Sequence, residues 1–269
     1  MAFIEHNYNG LVYLTSDFIQ APHAFTTRYG GVSKGIFSYL NLSVDRGDKY
    51  ENVLENYRRI FDALSLKVEN SVLSKQVHKT DILHITSKDK GYGLFRERDY
   101  EADGLITDDP GVALVIFAAD CVPILLEDTN TGSVAAVHAG WRGTAHNIVS
   151  NAVYEMKKNF GTQPENIKAA IGPCISSCCY EVGEDVFAGI SSMGDNFLKY
   201  LESSGGKKWM ADLKGANREA LINSGLRPSN IDVCTQCTFC LSNKYWSHRA
   251  TNGQRGSQAA IISVQENKK

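Results

Sequence analysis

Short apolar runs bounded by turn residues dominate the middle of the chain. GVALVIFAAD (111–120), CVPILLED (121–128) and GSVAAVHAG (132–140) follow one another with only a few polar residues between them. IKAAIGP (167–173) and SQAAIISV (257–264) have the same character. Apolar runs of this length with little polar alternation are typical of strands that are buried on both faces. We therefore predict that these five segments are strands of a buried core.

Helical spacing marks three other segments. In 50–66 the apolar residues recur every three or four positions, which predicts an amphipathic helix. Segment 145–161 has the same pattern, with Thr144 as a plausible N-cap and Gly161 just past its end. NREALINSGL (217–226) predicts a short helix ending at Gly225.

A further segment, SVLSKQVHKTDILHIT (71–86), is rich in β-branched residues and predicts a strand. Strands and helices are mixed without regular alternation, so we expect an α/β or α+β sandwich. No Pro- or Ser-rich linker divides the 269 residues, which favours a single domain over 1–269.

Composition narrows the classes of function. Apolar residues make up 43% of the chain, enough for a packed core, and the net charge of −2 gives no electrostatic footprint for nucleic acid or an anionic membrane. We find no signal peptide and no apolar stretch near the roughly 20 residues of a membrane span. A cytoplasmic protein is expected, and the oligomeric state is left open.

Cys121 and His138 each lie at the end of a predicted buried strand, and His78 lies in a polar stretch, SKQVHKT. One thiolate and two imidazoles suit Zn²⁺, and three protein ligands leave a fourth position for water or substrate. The alternative is that Cys121 is a core thiol and His138 a satisfied buried histidine. Asp120 beside Cys121 and Arg142 after His138 favour a functional site, since they add a carboxylate and an anion-binding fork.

Three of the seven cysteines form a C-x2-C-x2-C run: Cys234, Cys237 and Cys240. This spacing suits a metal, and it superficially resembles an iron–sulfur run. The run lacks a fourth ligand at the usual distance, although Cys174 or Cys178 could supply one in space. We favour the interpretation that these thiols pack near the C-terminal strands.

Several long motifs resemble the YfiH-like family, also called the laccase-domain or polyphenol oxidase family. They are FTTRYGGVSKGIFSYLNLS, QVH, ADGLIT, GVALVIFAADCVPILLED, AAVHAGWRGT and AIGPCISSCCYEVGEDV, and the similarity runs from about residue 22 to the end. The resemblance implies a layered α+β sandwich of mixed sheets and helices, similar to the catalytic domain of the cytotoxic necrotizing factor toxins. One departure lies near the C-terminus, where the family tends to place an arginine after a glycine. Here Ser257 follows Gly256, and Arg255 precedes it.

Carried onto this chain, the resemblance implies a one-zinc site of His78, Cys121 and His138. It also implies phosphorolysis of adenosine, inosine, guanosine and methylthioadenosine, and deamination of adenosine. Zinc-activated attack of water on C6 of adenine would need a carboxylate to move protons. Asp120 is our first candidate for that carboxylate and Glu181 the second.

Phosphorolysis needs a cation for phosphate and a donor to the departing purine. Arg142 is the first candidate for phosphate, and Arg58 or Arg249 could assist. Trp141 and Trp246 could stack on the base, although large aromatic residues more often belong to the core.

Other functions stay open. The chain could be a cysteine hydrolase with Cys121 as nucleophile and His138 as base, a variant of which would edit peptidoglycan precursors. It could also be a non-enzymatic module that binds nucleosides or metal. Copper oxidation is disfavoured, because the chain has only seven histidines and no His-x-His pair, whereas multicopper oxidases need a histidine-rich cluster.

Overall fold

The computed structural model describes residues 3–97 and 99–265. Within them the chain forms fifteen strands and five α-helices. The strands are β1 (Phe3–Tyr8), β2 (Leu11–Ser16), β3 (His23–Thr26), β4 (Ser71–Leu73), β5 (Ile82–His84), β6 (Gly104–Thr107), β7 (Ala113–Ala118), β8 (Val122–Asp128), β9 (Val134–Ala139), β10 (Ile167–Ile171), β11 (Glu181–Val182), β12 (Leu201–Gly205), β13 (Lys208–Ala211), β14 (Ile231–Val233) and β15 (Gln258–Ser263). The helices are α1 (Tyr50–Ala63), α2 (Trp141–Ala145), α3 (Ile148–Phe160), α4 (Glu184–Ser191) and α5 (Leu213–Asn223).

Two six-stranded mixed sheets form the centre of the molecule. The first sheet has the order β1-β2-β3-β15-β7-β4, and the second has the order β14-β10-β8-β9-β6-β5. Most neighbours are antiparallel, but β4 runs parallel to β7, β5 to β6 and β14 to β10. A small third sheet, β11-β13-β12, lies outside this pair.

The sheets and helices stack in four layers. Leu14, Phe25 and Leu114 of the first sheet share one buried apolar cluster with Leu105 and Leu125 of the second, so the two sheets pack face to face. Helix α1 packs on the outer face of the first sheet. Helices α3 and α5 cover the outer face of the second. The predicted α+β sandwich is therefore confirmed, while the likeness to the toxin domain and the single domain over 1–269 stay predictions.

The five predicted buried strands are present as β7, β8, β9, β10 and β15. Nearly all of their side chains are buried, as expected for strands with apolar layers on both sides. Helices α1 and α5 also lie within the predicted segments or overlap them. Gly161 ends α3 in a left-handed conformation, with φ of 71°, which glycine adopts at little cost.

Two local predictions were wrong. Segment 71–86 is not one strand: β4 belongs to the first sheet and β5 to the second, and the residues between them form a turn. Thr144 is not the N-cap of α3, because it lies inside the short helix α2. Asn147, with φ of 56°, separates the two helices and is the N-cap of α3.

Two of the connections by which the chain crosses between the two large sheets meet at one end of the sandwich. One crossing is the connection from β4 to β5, and the other is the three-residue connection from β7 to β8. His78 lies in the first connection and Cys121 in the second, so both approach the same end of the sandwich. Across residues 3–97 and 99–265, the structure has no helix that is both long and apolar enough to cross a membrane.

Candidate metal centre and active site

His78, Cys121 and His138 come together at this end of the sandwich. Their ligand atoms all lie within 4.8 Å of one another, with Cys121 Sγ 3.9 Å from His78 Nε2. The two imidazole rings meet edge to face, with ring centres 4.9 Å apart. His138 is the penultimate residue of β9 and pairs in register with Pro123 of β8, which places it beside Cys121. The structure thus assembles the three residues that the sequence singled out.

Asp103, which the sequence analysis did not identify, holds both histidines. Its Oδ1 lies 2.7 Å from His138 Nδ1, so that nitrogen carries the proton and Nε2 is left to bind a ligand. The same carboxylate accepts hydrogen bonds from the backbone N–H groups of Val77, His78 and Lys79 at 2.9–3.0 Å. These bonds stabilise His78 at φ of 60°, a conformation that non-glycine residues seldom adopt. Asp103 belongs to the ADGLIT motif, which is the only signal that pointed to it.

The site favours a thiolate at Cys121. Burial acts to raise its pKa, but the imidazoles of His138 and His78 outweigh burial and lower that pKa to about 6. Burial acts to lower the pKa of His138, but the Cys121 sulfur and the Asp103 carboxylate raise it to about 9. A thiolate is the form of cysteine that binds metals and attacks electrophiles.

Gly140 gives the ligands room. A Cβ atom at this position would lie 2.9 Å from His78 Cδ2 and 3.4 Å from Cys121 Sγ. Only a residue without a side chain leaves both ligands where they are. The chemistry of the donor set, the fixed tautomer of His138 and this close approach all fit a soft or borderline metal ion such as Zn²⁺.

Two cavities adjoin the three ligands. The larger has a volume of about 600 Å³ and is lined by residues such as Phe37, Lys75, Gln76 and Phe117. The smaller has a volume of about 370 Å³ and includes Trp141, Ile175, Tyr180 and Leu213. His78, Cys121, Ala119, Arg46 and Arg255 line both. Volumes in this range suit small-molecule ligands.

Comparison with known proteins shows the family of this chain. The sequence profile of the family described as multi-copper polyphenol oxidoreductase laccase matches residues 22–265. The chain belongs to this laccase family. It is 38% identical over 253 residues to the purine nucleoside phosphorylase YlmD of Geobacillus stearothermophilus, covering 93% of this chain and 92% of that protein. It is 31% identical over 236 residues to a protein named adenosine deaminase from an unknown prokaryotic organism, covering 86% of this chain and 89% of that one.

A solved structure supports the fold of this laccase-family chain. The YfiH protein of Bacillus licheniformis superposes with a TM-score of 0.93 at 31% identity, covering 98% of this chain and 99% of the other. The mixed α+β architecture is therefore that of the YfiH-like proteins, as the motifs of the sequence imply.

The laccase-family name refers to copper, but the trio offers few of the ligands of a multicopper centre. The donor set is one thiol and two imidazoles, and no methionine among the described residues lines either cavity. Blue-copper sites commonly add a weak axial methionine, and multicopper oxidases add a histidine cluster. Outside this trio, the other group of potential metal ligands among residues 3–97 and 99–265 consists of four cysteines.

Asp120 adjoins the smaller cavity, but its carboxylate is engaged elsewhere. Thr238 Oγ1 donates to its Oδ1 at 2.6 Å, and Ser247 Oγ and the Arg249 N–H donate to its Oδ2 at 3.1 and 2.7 Å. These bonds hold Asp120 at φ of 84° and tie the Cys121 connection to the C-terminal loops. The arrangement favours a positioning role for Asp120 over the proton shuttle predicted from the sequence.

The predicted arginines differ in their surroundings. Arg142 and Arg249 line the smaller cavity. The guanidinium of Arg142 lies over the Trp141 ring at 4.2 Å, and that of Arg249 donates to the Glu181 carbonyl at 3.2 Å. Arg58 lies on α1, in a separate surface depression with Glu55 and Arg59, and is not part of the described site.

Glu181 and Trp246 also differ from their predicted roles. The Glu181 side chain accepts a hydrogen bond from Ser204 Oγ at 3.3 Å and lines neither of the two cavities, so only its carbonyl acts near the site, through Arg249. Trp246 is buried, and its Nε1 donates to the Leu40 carbonyl at 3.0 Å, so it is a core residue. Trp141 does line the smaller cavity.

Arg46 and Arg255 were missed by sequence reasoning. Both line the two cavities where these meet the metal ligands. Burial, with a further contribution from Arg46, lowers the pKa of Arg255 to about 10. Its Nε is buried and has no hydrogen-bond partner among the described residues. Arg255 therefore has a buried N–H donor without a partner among the described residues, and it lies near the positive charge of Arg46. The family motif had instead pointed to the residue after Gly256.

Proposed function

We propose that this chain is a zinc-dependent enzyme of purine nucleosides that catalyses phosphorolysis and deaminates adenosine. The observation that carries the proposal is the assembly of one thiol and two imidazoles at the junction of two cavities, next to two arginines. Relatives named purine nucleoside phosphorylase and adenosine deaminase support both reactions. The preferred nucleosides are those that the resemblance implies: adenosine, inosine, guanosine and methylthioadenosine.

In this proposal, His78 Nε2, Cys121 Sγ and His138 Nε2 hold one zinc ion. When bound, the ion would act as a Lewis acid and would lower the pKa of a water molecule toward neutrality. Asp103 keeps the His138 proton on Nδ1, so that Nε2 points its lone pair at the ion. Gly140 keeps the ligand cluster compact.

The nucleoside and the phosphate would occupy different places in the two cavities. The smaller cavity has apolar and aromatic walls from Trp141, Ile175, Tyr180 and Leu213, which suit the flat face of a purine. Arg255 and Arg46 stand where the cavities meet, so an anion bound there lies beside the sugar of a nucleoside in the smaller cavity. The guanidinium of Arg255, which lines both cavities, is the group that we assign to phosphate.

The test is to incubate the purified protein with adenosine, with and without phosphate, and to separate the products by chromatography. We expect inosine without phosphate, and free base together with ribose 1-phosphate when phosphate is present. Cys121→Ala should lose both activities and the metal equivalent held by this trio, and elemental analysis would identify that metal. A fully metal-loaded wild-type protein that converts no purine nucleoside would refute the proposal and favour a binding module.

A cysteine hydrolase is the second candidate, favoured by one observation. Cys121, His138 and Asp103 lie in the order of a nucleophile, a base and an orienting carboxylate, with Asp103 Oδ1 2.7 Å from His138 Nδ1. Such an enzyme would be active without metal, and iodoacetamide would inactivate it by alkylating Cys121. Protection of Cys121 by bound metal, together with turnover of nucleosides, would exclude it.

A further inference from the structure

A second group of cysteines lies apart from the trio at the sheet crossings. The Sγ atoms of Cys178, Cys179, Cys237 and Cys240 all lie within 4.8 Å of one another. Individual separations are 3.6 Å between Cys178 and Cys179, 3.7 Å between Cys178 and Cys240, and 3.3 Å between Cys179 and Cys240. We call these four residues the thiol cluster. The cluster departs from the sequence interpretation, because Cys240 is exposed and Cys237 faces Cys178 rather than the C-terminal strands.

We propose that the thiol cluster is a second metal site, which binds one Zn²⁺ through four thiolates and joins two loops of the active-site wall. This goes beyond the proposed function and does not depend on it.

The spacing of the sulfurs matches a single small ion. Tetrahedral Zn²⁺ with Zn–S bonds of about 2.3 Å separates its sulfurs by about 3.8 Å, close to the separations seen here. An iron–sulfur cluster binds its thiolates through different irons, which holds the sulfurs farther apart. The geometry therefore favours one ion over the iron–sulfur interpretation that the C-x2-C-x2-C run suggested.

The backbone around Cys237 is arranged for a thiolate. The Ser176 N–H donates to Cys237 Sγ at 3.4 Å. Although burial acts to raise the pKa of Cys237, hydrogen bonds from the N–H groups of Cys240, Ser176 and Phe239 outweigh it. Hydrogen bonds of this kind stabilise the negative charge on a metal-bound sulfur.

A positive charge lies next to the two loops. The buried Lys214 ammonium donates to Ser176 Oγ at 3.0 Å and to the carbonyls of Cys234 and Gln236 at 2.8 Å. Four thiolates around one Zn²⁺ carry a net charge of −2, and the protons of the thiols are released to solvent on binding. Lys214 offsets part of that charge and already bridges the same two loops.

Both loops that the ion would join contribute to the active site. The first loop contains Ile175 and Tyr180, which line the smaller cavity. The second contains Thr238, which holds Asp120 next to Cys121. The backbone hydrogen bond from the Thr238 N–H to the Cys174 carbonyl, at 3.0 Å, already aligns the loops at their buried end. A metal ion at the exposed end would complete the connection and stiffen the cavity wall.

Co²⁺ offers a direct test, because thiolate-to-Co²⁺ charge-transfer bands grow with the number of sulfur ligands. The protein carrying His78→Ala and His138→Ala, which lacks the first site, is reduced, stripped with a chelator and titrated with Co²⁺. We expect one equivalent to bind with an intense multi-thiolate spectrum, and Zn²⁺ to displace it. Cys240→Ala in this background should abolish the spectrum.

Cys234→Ala is the matched control, since Cys234 belongs to the same run but lies outside the thiol cluster. It should leave the spectrum unchanged. In the otherwise wild-type protein, Cys240→Ala should reduce the zinc content by one equivalent. The proposal is overturned if the reduced protein binds no Co²⁺, if Cys240→Ala leaves the spectrum intact, or if freshly purified protein contains a disulfide here and no metal.

Discussion

Asp103 is the residue on which the geometry of the trio depends most. It is fully buried, and it accepts hydrogen bonds from three successive backbone N–H groups and from His138 Nδ1. Burial acts to raise its pKa, but the hydrogen bond and charge of His138 and the backbone donors of Lys79 and Val77 outweigh burial and lower that pKa. One carboxylate thus sets the tautomer of one histidine and the backbone of the other.

Asp103→Asn should weaken zinc binding by about 10- to 100-fold, the usual effect of removing the carboxylate behind a metal-binding histidine. The amide cannot accept from all four donors with the strength of a carboxylate, so both His138 and His78 lose their orientation. Competition with a chromophoric chelator measures the affinity. Glu101→Gln is the control, since its exposed side chain pairs with Lys75 and should leave affinity unchanged. Equal affinity in wild type and Asp103→Asn would contradict this role.

Arg255 can be tested separately from the metal. Arg255→Gln should raise the KM for phosphate by about 10- to 100-fold, which corresponds to the roughly 1.5–3 kcal/mol of a hydrogen bond to a charged group. Deamination without phosphate should change far less, because that reaction needs no anion at Arg255. Initial rates over a range of phosphate concentrations distinguish the two effects. Arg58→Gln, in its separate depression, should behave as wild type; a similar loss in both variants would argue against a phosphate site at Arg255.

At this scale, residue type was the predictive signal. A cysteine and two histidines are candidate metal ligands in any sequence, because few residue types bind soft metals. The structure brings these three together. Asp103, Arg46 and Arg255 carry no such signal, since carboxylates and arginines are common on surfaces. Their positions depend on chain crossings between sheets, which local sequence patterns do not encode.

Helix α1 carries a buried polar residue on its otherwise apolar face. Asn56 lies on its buried face, accepts from the Val32 N–H at 2.8 Å, and donates to Ser33 Oγ at 2.9 Å and the Asn41 carbonyl at 2.8 Å. These bonds attach both ends of segment 32–41 to the helix. Phe37, within that segment, lines the larger cavity.

Asn56→Ala should lower the free energy of unfolding by about 1–3 kcal/mol, because it leaves buried partners without hydrogen bonds. It should also raise the KM for substrate, since the wall of the larger cavity loses its attachment. Urea denaturation and steady-state kinetics give the two values. Asn52→Ala, one turn earlier on the same helix and less buried than Asn56, should have little effect on either. A destabilised variant with unchanged KM would show that the segment holds its position without Asn56.

Elements were predictable where the hydrophobic pattern was strong. The five buried strands were predictable from apolar runs, because strands covered on both faces need apolar residues at every position. Helix α1 was predictable from helical spacing, because only one of its faces is buried. The single strand predicted over 71–86 was wrong. Its β-branched residues favour a strand, but three of its backbone N–H groups donate to the Asp103 carboxylate and form a turn. A long-range partner therefore overrode local propensity.

For the whole molecule, the contact between the two large sheets includes buried polar groups. Ser16, on β2 of the first sheet, donates from its Oγ to Asp232 of β14 in the second sheet at 2.6 Å. The Ser16 N–H donates to His23 Nε2 at 2.8 Å, and His23 Nδ1 donates to the Ala21 carbonyl at 2.8 Å. This arrangement requires a neutral His23, because Nε2 must accept a hydrogen bond.

The stability of the fold should therefore decrease in acid through His23. Burial lowers its pKa from 6.5 to about 4, so between these values the unfolded chain binds a proton that the folded protein does not. The free energy of unfolding should be insensitive to this group above about pH 6.5, and should fall by up to about 3 kcal/mol as the pH drops to about 4, at 1.36 kcal/mol per pKa unit. Below that pH both states are protonated, and this contribution levels off.

Urea denaturation at several pH values measures the slope. His23→Gln keeps an acceptor for Ser16 but does not titrate, so its slope between pH 6.5 and 4 should be shallower than that of wild type. Parallel slopes in the two proteins would mean that other groups govern acid unfolding.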